Sequence, residues 1–544
     1  MAMSTHFENE EHPFGSAEMA SAHDAARAGM FRKSDTAIYC GELEGRSLFY
    51  DGEGGILLVA GARSGKLRDI LAYTLCKGIC DGRTIIVLDP KGELAAISRD
   101  QILESGRGKK VLTFNPRGLH NLPQHKINPV GYLKWSSPTL IPDLKLFLEN
   151  WIAKSGAAQA EYFEHNARRW AEAICLSLIK THGELELPQF YRVVNLLSGG
   201  GKEWIDFAYE MHTSGIQVSR DIEEEIAAMR EDRSGGFQGI IGELQKSVAC
   251  LSDPLLSEAV SGPVSYDLSE LCEDGMPVQL YLVVPVEMIP LWAPVLKSLF
   301  VGCLIEKSRE PEARRQLWIL DECGQLGSFP VVPQMFTYGA GIGIQPYAVF
   351  QSTSQMDALA PQARQLITSS ASLQMYFATR DLGSAKTVSE VLGTQTLRTD
   401  DPLTQSRAKL KKEQLMAALL GGGDPFRLAS QIAQLGHETG HTRKHARQLR
   451  TPDEVMRTAK DGMYLLCDDL PGPLYAQRKP YWTRRWMAGR YHPNPYHPPL
   501  ESVKVATFWG MRPRKIITED VPAQYAHLPQ YRGGSWSYVE GFRP

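Results

Sequence analysis

From Gly55 onward, apolar runs of strand length alternate with longer helical stretches, the pattern of a parallel sheet joined by crossover helices. Three runs are clear, at 56–60, 84–88 and 278–284, and two more follow at 316–320 and 347–350. All are rich in Val, Ile and Leu, as strands covered on both faces should be. The chain before them reads as a lead-in. Residues 1–50 hold an Ala-rich helical stretch at 17–28 and short strands near 38–39 and 47–50. Between 183 and 265 the periodicity is helical with no convincing strand. Residues 405–450 include Gly421-Gly422-Gly423 and predict a mobile insertion. From 483 the chain is rich in Pro, Tyr and Trp, which predicts an extended tail laid over a surface.

Composition narrows the class. At 544 residues, 43% hydrophobic and 22% charged, the chain is long enough for several lobes and is not disordered overall. Fifty-nine basic against 62 acidic residues exclude a uniformly basic nucleic-acid coat. Nine cysteines without metal or redox spacing argue for a reducing compartment. Met1 to Glu11 has no basic n-region or apolar h-region, so it is not a secretory signal. No apolar stretch reaches the roughly 20 residues of a membrane helix. The best candidate, 290–306, is broken by Pro294 and Lys297 and reads as a buried amphipathic helix.

The clearest chemistry lies at the strand ends. Ala60-Gly61-Ala62-Arg63-Ser64-Gly65-Lys66-Leu67 follows one strand and opens a helix expected over 67–78. Small residues let backbone N–H groups turn inward, the helix start adds positive potential, and Lys66 reaches β- and γ-phosphates. Ala60 stands where the consensus has its first glycine, and Leu67 where a Ser or Thr hydroxyl holds Mg²⁺. Downstream, the strand at 316–320 ends in Asp321-Glu322, with Asp321 placed for the Mg²⁺ shell and Glu322 for the attacking water. The strand at 347–350 ends at Gln351, the candidate sensor of a γ-phosphate.

These residues belong to a longer collinear set. It runs from His12-Pro13-Phe14-Gly15 and Tyr50-Asp51-Gly52-Glu53-Gly54 through the loop at 60–67 to Asp89-Pro90-Lys91-Gly92-Glu93. It continues with Phe114-Asn115-Pro116, Ile127-Asn128-Pro129 and Phe163-Glu164-His165-Asn166. Then come Asp321-Glu322-Cys323-Gly324-Gln325-Leu326-Gly327, Phe350-Gln351-Ser352 and Arg450-Thr451-Pro452-Asp453-Glu454. In these motifs the chain resembles the conjugative coupling proteins of type IV secretion systems, the TraG-like ATPases related to FtsK-type DNA pumps.

The resemblance implies an α/β fold: a RecA-like P-loop NTPase core with a central, mainly parallel sheet, interrupted by an all-α domain. The nucleotide-binding domain would occupy 51–182, 266–404 and 451–482, and the all-α domain 183–265. A basic insertion (405–450) and a tail (483–544) would follow. The implied cofactors are ATP and Mg²⁺, with Asp89 near the site in an unassigned role. The implied partners are single-stranded DNA, a relaxase or effector protein, and the secretion channel, served by a homo-hexamer. The family begins with a transmembrane pair and this chain begins with the cytosolic part, which places it in the cytoplasm, meeting the inner membrane through partners. Ala340 stands where the family commonly carries an arginine, leaving Arg364 or Arg380 as substitutes. Without one, the chain would be a nucleotide-binding adaptor that recruits substrate.

Three further features carry alternatives. His437-Glu438-Thr439-Gly440-His441, with His445 beyond, spells a zinc-peptidase pattern if helical; otherwise it is a basic, His-rich loop. Residues 203–233 hold nine acids against three arginines, a solvated face or a partner surface. Residues 478–515 hold nine cations against Glu501, interleaved with seven aromatic rings. That is either a single-stranded nucleic-acid site or a packed tail with solvated arginines.

Overall fold

The computed structural model describes residues 14–152, 154, 156–231, 235–399, 410–411, 413–414 and 443–544. Its framework is one eleven-stranded sheet. In chain order the strands are β1 (Ile38–Leu43), β2 (Arg46–Tyr50), β3 (Gly55–Val59), β4 (Thr84–Asp89), β5 (Lys110–Phe114), β6 (Val278–Val283), β7 (Gln316–Leu320), β8 (Ile344–Phe350) and β9 (Ala371–Phe377). The small hairpin β10 (Thr394–Thr399) and β11 (Arg443–Gln448) stands apart, and β12 (Gly462–Cys467) and β13 (Leu474–Gln477) return to the sheet.

The spatial order is β2-β1-β13-β12-β9-β3-β8-β7-β4-β6-β5. Every pairing from β9 to β5 is parallel, and those from β9 through β12, β13 and β1 to β2 are antiparallel. Side-chain alternation divides the parallel part into two apolar layers. Leu57, Val59, Ile86 and Leu88 face one layer, which continues into the helices. Ile56, Leu58, Ile85 and Val87 face the other, with Ile70, Tyr73 and Cys76. Both faces are covered, as the unbroken apolar runs require.

The five expected strands lie at β3, β4, β6, β7 and β8, within one to three residues at each end. The helical block is longer than 183–265. Ala158–His182 already packs with the later helices Gln217–Glu231 and Gly235–Val248, and Leu140–Trp151 packs on Ala158–His182 and on Ile289–Arg309. The helix after the phosphate loop also departs from expectation. It is a wide π turn, Leu67–Leu71, then Ala72–Leu75, and it stops where Cys76 turns extended. The apolar stretch near 290–306 lies in Ile289–Arg309, and among the described residues Val286–Arg309 is the one segment long and apolar enough to cross a membrane. Of its most apolar window, 78% is buried inside the protein.

The tail is not extended throughout. Residues 483–500 run irregularly over the body, but beyond them β14 (Ser502–Thr507), β15 (Gly510–Asp520) and β16 (Ser535–Val539) form an antiparallel sheet. Its own small core holds Leu528, Tyr531, Trp536 and Tyr538 around Ile102, the folded unit that proline and aromatic content concealed. The Gly-rich insertion and the zinc-peptidase pattern at 437–441 fall outside the described residues. His445 stands in β11, so a helix from His437 does not extend to it.

Candidate nucleotide site

Four strands that lie side by side, β3, β8, β7 and β4, end at the same edge of the sheet. Parallel strands spaced about 4.8 Å apart bring residues that follow their C-terminal ends into one crevice. The chain places Ala60–Leu67 after β3, Gln351 after β8, Asp321 and Glu322 after β7, and Asp89 at the end of β4. Lys66 and Glu322, 256 positions apart in sequence, thus meet because of strand order alone.

The side chains join. Lys66 Nζ lies 2.6 Å from Asp321 Oδ1 and 2.6 Å from Glu322 Oε1. Gln351 Nε2 donates to the other Glu322 oxygen at 2.7 Å, while its own N–H donates to Gln355 Oε1 at 2.7 Å. Glu322 takes a left-handed backbone (φ 57°), a conformation that costs a non-glycine residue about 1–3 kcal/mol. That turn breaks the chain away from β7 and carries the carboxylate to Lys66 and Gln351. Burial pulls the Lys66 pKa down, and the two carboxylates more than reverse it, so the amine stands above its ordinary value. Burial pushes the Asp321 carboxyl up, against the pull of Lys66.

The loop is shaped for an anion. Arg63 and Gly65 both take positive φ, and a Cβ on Gly65 would meet Asp69 Oδ2 at 2.6 Å. A Cβ on Gly61 would meet nothing within 4 Å, so the loop mouth is open there. Among the described residues, the N–H groups of Ala62, Arg63 and Gly65 donate to no protein acceptor, and Ser64 Oγ is buried without a partner. Open donors beside a lysine and two carboxylates suit a phosphate with its divalent cation. Leu67 leans into the apolar layer and brings no oxygen to that site.

Asp89 is buried, and its Oδ2 accepts the Ala95 N–H at 2.8 Å. Burial first, and then the neighbouring Asp321 and Glu93 carboxylates, push it up to about 7 against that hydrogen bond. It therefore sits beside the cluster as an acid poised near neutrality. Arg364 pairs with Asp357, Arg380 is exposed, and Ala340 is exposed on the turn Gly339–Ile342.

Residues 11–498 match the family model described as type IV secretory system conjugative DNA transfer. The chain belongs to that family. It is 22% identical over 479 residues to a conjugal transfer protein TraG of Escherichia coli, across 81% of this chain and 71% of that one. A TraG of Agrobacterium fabrum is 24% identical over 348 residues, 61% of this chain and 50% of that protein. Among solved structures, the bacterial conjugative coupling protein TrwBdeltaN70 in its unbound monoclinic form superposes with a TM-score of 0.59 at 15% identity, covering 86% of this chain and 94% of that one. Plasmid coupling protein TrwB in complex with ADP and Mg²⁺ gives 0.57 at 15% identity, over 86% and 96%. The fold is thus the RecA-like α/β architecture of the coupling proteins, as the motifs led one to expect.

Two residues of this coupling-family site escaped the sequence reading. Asp69, one turn beyond the loop, is fully buried and paired with Arg478 Nη1 at 3.1 Å. The same guanidinium donates to Ser64 O at 2.9 Å and lies 3.6 Å over the Phe377 ring. Burial brings its pKa down to about 10. Arg478 is therefore no solvated member of a basic run; it props the phosphate loop from behind. A lone acid directly before the apolar stretch Ile70–Leu75 was the available signal.

Proposed function

We propose that this coupling-family chain is an ATP-driven motor that delivers DNA, as a relaxase-bound single strand, or a protein substrate to a type IV secretion channel. It works at the cytoplasmic side as a homo-hexamer. The observation that carries the reading is the Lys66–Asp321–Glu322–Gln351 cluster at the mouth of the loop. MgATP, when bound, supplies the γ-phosphoryl group and the cation. The open N–H groups of Ala62, Arg63 and Gly65 and the Lys66 amine would hold the phosphates, in the manner of phosphate loops generally. Asp321 holds the cation, and Glu322 accepts a proton from water that it orients. Gln351, bonded to Glu322, couples that carboxylate to the γ-phosphate position. Asp89 backs the cation side of the crevice.

The test is Mg²⁺-dependent ATP turnover with and without single-stranded DNA, at concentrations where a ring forms. Glu322→Gln should lower turnover by at least about a hundredfold, the scale of a lost general base, while nucleotide binding persists. Lys66→Ala should lose both. Undetectable turnover in the unmutated protein would remove the motor reading.

Leu67 and Ala340 favour a second reading, a catalytically degenerate nucleotide-binding adaptor that recruits substrate through its acidic helices. Neutralising Asp206, Glu210 and Glu224, which are exposed, tests that surface. Glu225 is unsuitable because it is tied to Arg169 at 2.9 Å and to Trp170 Nε1 at 3.0 Å. Loss of a stable partner complex without any turnover would favour the adaptor. A zinc peptidase at 437–441 is the third reading, settled by metal content of the pure protein.

A further inference from the structure

The β14–β15 hairpin ends in Thr507-Phe508-Trp509-Gly510, and its tip is built to be fixed. Thr507 Oγ1 accepts the Trp509 N–H at 3.2 Å and donates to Gly510 O at 2.7 Å. The base is anchored by Val503 and Val505, buried in the apolar layer, and by Tyr491 Oη donating to Lys504 O at 2.6 Å. A rigid arm therefore holds Phe508 and Trp509 outward at 72% and 79% exposure, the two highest among the large apolar side chains of the described residues. Met511, 41% exposed, adjoins them.

Charge is arranged behind the rings. From Val503 to Lys515 the hairpin carries Lys504, Arg512, Arg514 and Lys515 and no acid, and all four are exposed. Arg485 adds a fifth cation, 5.5 Å from the Phe508 ring. The pairing Ala506↔Met511, Val505↔Arg512, Val503↔Arg514 sets these cations back from the tip in successive steps of roughly 3.4 Å. The acids near the arm, Glu501, Glu540 and β15's own Glu519 and Asp520, sit at its far end, where Glu540 accepts the Lys515 N–H.

We propose that this hairpin is a membrane-docking arm that inserts Phe508 and Trp509 into an anionic phospholipid surface, with the basic collar on the headgroups. Aromatic rings prefer the interface, and cations behind them gain from anionic lipid. Stacking on nucleic acid fits less well. The two rings stand perpendicular, at 83°, and offer no parallel faces for successive bases. The cations also lie deeper than the rings, instead of lining a groove beside them. The inference does not depend on ATP turnover.

The full chain should cosediment with vesicles containing about a third phosphatidylglycerol in phosphatidylcholine, and not with phosphatidylcholine alone. High salt should weaken the binding. Phe508→Ser with Trp509→Ser should lower partitioning roughly tenfold or more, with an unchanged melting curve and oligomeric state. The blue shift of emission on adding vesicles should vanish in Trp509→Phe, though nine other tryptophans remain. Equal sedimentation of parent and variant would overturn the proposal. So would a changed oligomeric state with vesicle binding intact, which would make a second copy the occupant. Single-stranded oligonucleotide binding by a parent that ignores vesicles, lost in the double variant, would give the arm to nucleic acid.

Discussion

Residues 478–490 and 502–515 form one basic, aromatic run in sequence, yet they meet opposite surroundings. In the first stretch, Arg478 is buried against Asp69, Arg484 pairs with Glu42, and Arg490 donates to Lys77 O. Its rings are packed too: Tyr481 and Tyr491 lie edge to face 4.8 Å apart, and Trp486 leans on Tyr39 and Tyr73. In the second stretch every cation is exposed and the rings at the tip touch little but each other. What separates the two is the partner. A buried carboxylate from a distant part of the chain waits opposite Arg478 and Arg484, and among the described residues none pairs with Arg512 or Arg514. The packed-tail reading holds for the first stretch, except that Arg478 is buried and Arg484 and Arg490 are bonded to the body where solvated arginines were expected; the second stretch projects.

The sharpest break of this comparison is Arg478→Ala against Arg514→Ala. Removing Arg478 leaves the buried Asp69 with only the half-exposed Arg68, 2.6 Å away, and frees the carbonyls of Ser64, Lys460 and Gly462. Breaking a buried pair from one side costs on the order of 3–5 kcal/mol; Arg68 offsets part of that, so about 2–4 kcal/mol and a melting temperature lower by several degrees are expected. Arg514→Ala should leave it where an ordinary surface substitution does. Asp69→Leu combined with Arg478→Met should recover much of the loss, since a matched apolar pair removes the stranded charge. Equal melting of both single variants would show that the buried pair is not structural.

Asp89 sharpens the same contrast from the acid's side. Asp69 has a guanidinium, whereas Asp89 is held by backbone N–H groups and pushed up to about 7 by burial. With a raised folded pKa, the native state binds more protons than the unfolded chain between about pH 4 and 7. Stability from this group is therefore present below that window and is lost as pH rises through it. Across pH 5 to 7 the loss should be on the order of 2–3 kcal/mol, at 1.36 kcal/mol per unit. Asp89→Asn should flatten that part of the melting-temperature profile. An unchanged slope in the variant would assign the dependence elsewhere.

The sheet was legible where both faces are covered, because β3, β4, β6, β7 and β8 each hold an apolar run of at least four residues. β9 was not, since Ser372 and Gln374 interrupt it, and β13 is only four residues long. The cluster was readable because each of its members directly follows a legible strand. The Asp69–Arg478 pair was not: 409 positions separate its members, and the arginine lies in a run whose composition suggests solvent. In the same way, the proline-rich tail signalled an irregular path to 500, while its β14–β16 sheet relies on a core shared with Ile102, some 400 residues earlier.

The smallest expected effect tests the comparison at its boundary, where two adjacent arginines diverge. Arg484 reaches Glu42, whose side chain is 3% exposed, and burial pushes that carboxyl up against the pull of the arginine. Arg484→Ala strands the acid, but the arginine is 28% exposed and water reaches the pair, so about 1–2 kcal/mol is expected. Arg485 lies over Phe508 at the root of the arm and forms no ion pair among the described residues, so its loss removes one exposed cation–π contact, about 0.5–1 kcal/mol at most. The two should separate further in what else they change. Arg484→Ala should make stability more pH-dependent in the acid range, because protonation then relieves an unpaired buried carboxylate. Arg485→Ala should leave that profile alone and weaken only the salt-sensitive part of vesicle binding. If the two variants behave alike, Arg485 belongs with the packed arginines and not with the projecting arm.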